Sequence, residues 1–201
     1  MRTRLFSAIF LCAAFAFSLQ ARDLDNHGSF GISFSGMGLN GAYHFGHSED
    51  VGTFRRDGFF SIGFNYLRPI FDNMEIKTGL EFGRFNYRYN PADGAWTDAN
   101  LSLITIPLTV RYYFRELFFI NGGLLLDFET GRSQSLTPQS GLGLVGGAGL
   151  HYDIPFVPVG IFVNPYIRHR SLLLFSGIDD RPSTRTWNVG IRIGLVYNLR
   201  H

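Results

Sequence analysis

Residues 101–114 read LSLITIPLTVRYYF, and the stretch alternates. Ile104, Ile106, Leu108, Val110, Tyr112 and Phe114 fall on one face. Thr105, Pro107, Thr109, Arg111 and Tyr113 fall on the other. A period of two is the strand period, because successive side chains leave a strand on opposite sides. Arg111 therefore does not interrupt an apolar run; it belongs to the second face of a strand that is apolar on one side. Pro107 has no N–H to give to a ladder, which predicts a bulge or local kink there.

The same period recurs in residues 29–35, 58–67, 74–83, 117–129, 141–152, 159–171 and 187–198, making eight predicted strands. The connections alternate in length. Long polar segments cover roughly 38–57, 88–100, 130–140 and 172–185, and short ones cover Arg68–Asn73, Arg115–Glu116 and Asp153–Pro158. Both ends of the set fall on the short-turn side. This is the plan of an all-β, eight-stranded antiparallel up-and-down transmembrane barrel. No second domain is expected in residues 22–201.

A soluble lipocalin-like carrier of an apolar ligand shares this alternation, so the content of the faces decides between them. The non-apolar face combines glycine with charges of both signs: Glu75, Lys77, Glu81, Arg111, Asp127, Glu129, Arg168, Arg170 and Arg192. Such a set suits a narrow interior packed with paired charges, and eight strands leave room for little else. The chain has 17 Arg but one Lys, unlike an ordinary soluble surface. Tyr66, Tyr112, Phe114, Tyr152, Trp187 and Tyr197 sit near strand ends on the apolar face, where aromatic girdles form in membrane barrels. The expectation is an apolar exterior in outer-membrane lipid around a lumen filled by side chains, and no general diffusion pore.

Residues 1–21 have the layout of a secretory signal peptide: Arg2 and Arg4, an apolar run from Leu5 to Phe17, then Ser18-Leu19-Gln20-Ala21. The run is shorter than the ~20 residues of a spanning helix. Cys12 lies in this run, so the exported chain offers no disulfide, thiolate nucleophile or Cys-based metal site. Without Arg2 and Arg4 the charges balance, and no basic block points to nucleic acid. No cofactor motif is present.

Ile104-Thr105-Ile106-Pro107-Leu108, followed by Arg111-Tyr112-Tyr113-Phe114 and then Phe119-Ile120-Asn121-Gly122-Gly123, resembles the PorT-like outer-membrane β-barrel family. Gly141-Leu142-Gly143 with Gly147-Ala148-Gly149 is similar to its later glycine-rich strand. The resemblance implies an eight-stranded barrel in the outer membrane of a Gram-negative bacterium. The family's named member is associated with protein secretion. Secretion or surface proteins engaged through the long loops are the partners it implies.

Two groups of side chains raise the question of chemistry. His169 and Ser171 are alternate residues, so the strand period puts both on the lipid-facing side. A His that deprotonates a Ser makes an acyl-transfer nucleophile, and the pair resembles the His-x-Ser of lipid A deacylases. Leu172 follows where those enzymes usually carry Asn, and the nearby acids are Asp179 and Asp180. Separately, His44 and His47 lie near Glu49 and Asp50 in the first long loop, a set that could hold a metal but more often marks a solvated loop. The leading expectation is a non-enzymatic barrel, structural or accessory to secretion or surface assembly. A lipid A acyl hydrolase using His169 and Ser171 is the alternative, and a soluble lipocalin-like carrier the second.

Overall fold

The computed structural model describes residues 28–45, 53–90, 94–114, 117–133, 136–175 and 183–199, with the side chains of 43–45, 53–57 and 183–184 outside that description. The leader assigned to residues 1–21 and the group His44, His47, Glu49 and Asp50 lie outside the described side chains. Eight strands follow one another: β1 (Ser29–Phe45), β2 (Thr53–Phe71), β3 (Met74–Asn90), β4 (Thr97–Phe114), β5 (Phe118–Arg132), β6 (Gly141–Asp153), β7 (Val159–Leu174) and β8 (Ser183–Asn198). Each pairs antiparallel with its sequence neighbour, and β1 pairs with β8, so the sheet closes and leaves no edge.

The strands are longer than the alternating segments. They run 13 to 19 residues, whereas a tilted strand crosses hydrocarbon in about 9–11. β1 continues to Phe45 and β3 to Asn90, into stretches expected to be loops. On β3 the apolar outer face gives way after Phe82 to Arg84, Asn86 and Arg88, but the hydrogen-bonded ladder does not need an apolar face and carries on. At the opposite end the turns are tight; Asp72 and Asn73 alone separate β2 from β3.

Pro107 makes no bulge. Its pairing with Leu125 of β5 runs straight through. On the other side the β3–β4 ladder stops after Lys77↔Thr109 and resumes at Glu81↔Thr105 in the same register. The missing N–H interrupts the ladder opposite Gly79, whose φ of 150° is open to glycine alone. The unusual backbone falls on Gly79, opposite Pro107, rather than on Pro107 itself.

The faces fall as the alternation predicts. Ile32, Ile62, Leu80 and Ile167 are each 57% exposed on the outside, while Arg111, Arg168 and Arg170 are 1% exposed inside. Two apolar layers close the interior. Leu67, Tyr113, Phe119, Phe162 and Val196 pack at the short-turn end. Phe59, Phe85, Tyr87, Leu101 and Leu103, with Leu136 folded in from the β5–β6 connection, pack toward the long-loop end.

Candidate functional site

The charged side chains lie between these layers, carried there by strand parity from five different walls. Glu81 points inward from β3. It receives Arg168 of β7 through two contacts of 2.5 and 2.7 Å, and Arg192 of β8 at 2.9 Å. Both guanidiniums also lie over the Tyr166 ring, 4.7 and 4.9 Å from its centroid. A planar fork on a carboxylate is the strongest geometry such a pair can adopt.

A second cluster joins β4, β5 and β7. Asp127 Oδ1 accepts hydrogen bonds from Thr105 Oγ1 at 2.6 Å and from Arg170 Nη1. Arg170 Nη1 also reaches Thr105 Oγ1 at 3.1 Å and stacks over Phe85 at 4.7 Å.

A third runs down to the short-turn surface. Arg111 Nη1 donates to Glu75 Oε1 at 3.1 Å, and the Tyr113 hydroxyl donates to the same oxygen at 2.8 Å. Tyr113 also meets His151 Nδ1 at 3.0 Å, and His151 Nε2 stands 3.4 Å from the half-buried Asp153. Arg111 lies between two rings, 4.6 Å from Phe119 and 4.8 Å from Phe162.

Eight of the nine expected interior charges are therefore buried in the lumen. Glu129 is the exception. It sits at the rim, held by Arg132 Nε at 2.7 Å and by the backbone N–H of Gln139 at 2.9 Å. It pins the β5–β6 connection rather than joining the inner clusters.

His169 and Ser171 do not share a face. Leu142 pairs with Leu173 and Leu144 with His169, so β7 spends four residues where β6 spends two. Ser171 adopts φ 57° in this bulge, and the strand period breaks: Arg170 and Ser171 are both buried. His169 remains on the outer side opposite Trp187. Ser171 Oγ turns inward and donates to Gln139 Oε1 at 2.6 Å. The outward His–Ser pair expected from the sequence is not formed, and Asp179 and Asp180 lie outside the described residues.

Gln139 is the residue that sequence reasoning missed. It is fully buried, and its Oε1 also accepts from Thr186 Oγ1 at 3.2 Å. It lies in a segment that reads as a polar loop, and nothing in its spacing marks it as folding into the barrel.

No family model matches the chain, and no curated protein matches it. Solved structures do. The outer-membrane protein OprG from Pseudomonas aeruginosa is 14% identical over 90% of this chain and 100% of that one, with a TM-score of 0.49. The outer-membrane protein AlkL in DMPC bilayers is 15% identical over 92% and 96%, at 0.44. The translocator domain of the autotransporter NalP from Neisseria meningitidis is 12% identical over 98% and 95%, at 0.35. Likenesses this distant carry nothing about what the present chain does.

The chain's own faces carry more. A lipocalin-like carrier needs an apolar chamber inside and charge outside. Here carboxylates and guanidiniums fill the inside and isoleucines, leucines and phenylalanines cover the outside. That exterior matches lipid, in which a closed barrel satisfies every backbone group. Seven of the eight buried charges are tied in ion pairs, Glu81 with Arg168 and Arg192 and Asp127 with Arg170 between non-adjacent strands, and Glu75 with Arg111 between neighbours.

Proposed function

We propose that this chain is a non-enzymatic outer-membrane barrel, a structural or accessory part of a secretion or surface assembly rather than a pore. The observation that carries the reading is the Glu81–Arg168 contact across the lumen, with apolar layers above and below it. A lumen crossed in this way passes neither solute nor protein. Function then falls to the outer surface and to the long-loop end, where strands extend past the lipid. The PorT-like resemblance of residues 104–108 and 111–114 supports an accessory role in secretion. The separation of His169 from Ser171 weighs against acyl hydrolysis.

Planar-bilayer recording on the purified protein tests the closed lumen. The reading expects no steady ion conductance; an open channel of constant size overturns it. Deletion of the gene tests the role. Loss of a secreted or surface protein with unchanged lipid A is expected, whereas altered lipid A acylation would return the enzyme reading.

A further inference from the structure

The enclosed lumen holds more positive than negative charge. Among the described residues its buried ionic side chains are four arginines and Lys77 against three carboxylates. Every carboxylate is committed. Glu75 takes Arg111, Asp127 takes Arg170, and Glu81 takes two arginines at once. Lys77 is left over. It is 3% exposed and stands on β3 between Glu75 and Glu81, yet no described carboxylate lies within 4.0 Å of its Nζ.

Loss of the Lys77 proton does not remove the imbalance. Guanidiniums keep their charge in proteins, so four would still face three carboxylates. Buried charge of one sign is costly unless a counterion accompanies it.

Geometry marks where the counterion belongs. Lys77 pairs in register with Thr109, and Arg111 lies two residues further along β4 on the same inward face. Both cations face one ring, Nζ at 5.9 Å and the guanidinium at 4.8 Å from the Phe162 centroid. Arg111 gives only Nη1 to Glu75.

We infer that the lumen holds a small inorganic anion of halide type, bound between Lys77 Nζ and the Arg111 guanidinium. The anion balances the interior charge and ties β3 to β4 where Pro107 interrupts their ladder.

Bromide is the probe. Protein unfolded and refolded in sodium bromide, then crystallised in it, is expected to show an anomalous peak in contact with both Lys77 and Arg111. A lumen with no peak, or with a peak only elsewhere, overturns the inference. A second test compares wild-type protein refolded in chloride and in gluconate at equal ionic strength. Chloride is expected to raise the melting midpoint by a few degrees, and Lys77→Met to abolish the difference. Equal wild-type midpoints in the two salts count against the site even if the variant does not fold.

Discussion

Glu81 on β3 and Arg168 on β7 stand four strands apart in an eight-stranded ring, and their forked pair joins opposite walls. Removing one side of such a buried pair leaves an uncompensated charge, which typically costs about 3–5 kcal/mol. Glu81→Gln strands two arginines, Arg168 and Arg192. We expect its urea midpoint to fall strongly. Glu81→Gln with Arg168→Met is expected to recover part of the loss. A double variant no better than the single one would show that the pair braces nothing.

Leu80 sits next to Glu81 in sequence but points the other way, 57% exposed on the outer face. Arginine on the lipid face near the bilayer midplane costs roughly 2–4 kcal/mol in membrane barrels. Leu80→Arg is therefore expected to lower stability in lipid vesicles by that order. On a water-facing barrel the same change is close to neutral, so an unchanged unfolding midpoint would place this face in water.

Gly79 holds φ at 150°, and an added Cβ would collide with the Phe64 carbonyl and come 2.9 Å from Asn65 Cα. Gly79→Ala is expected to destabilise the barrel by about 1–3 kcal/mol, through backbone strain opposite Pro107. Differential unfolding of the two proteins measures it. A neutral substitution would mean the interrupted ladder tolerates ordinary backbone.

Ser171 and His169 make opposite predictions from those of a catalytic pair. Ser171→Ala loses a buried hydrogen bond to Gln139 and is expected to cost about 1 kcal/mol. His169→Ala is expected to leave lipid A mass spectra unchanged. A changed acylation pattern in either variant would restore the enzyme hypothesis.

Much of this architecture is legible in the residue order, because the physics behind it is local. Alternation assigns Arg111, Arg168 and Arg192 to the lumen, since parity depends only on counting along a regular strand. It fails at Ser171, where a φ of 57° turns the side chain inward; the two extra residues of β7 are an even number, so the count is in phase again at the exposed Leu173, and nothing in HRSLLL announces the bulge. Partners are harder than faces. Lys77 shares Glu81's strand and face but sits two inward positions away, and the lumen is narrow enough for Arg168 and Arg192 to reach Glu81 from other walls. The loop residue Gln139 was invisible because its burial comes from tertiary folding alone. The strands run past their alternating segments, because the ladder needs no apolar face to continue.

The apolar face is expected to meet membrane, and the charged face meets itself. Gel mobility of the protein from the outer-membrane fraction, boiled and unboiled, tests it most directly. Outer-membrane recovery is expected, with a band that shifts on boiling as a closed barrel held together in cold detergent unfolds. Recovery in the soluble fraction with no shift would contradict it.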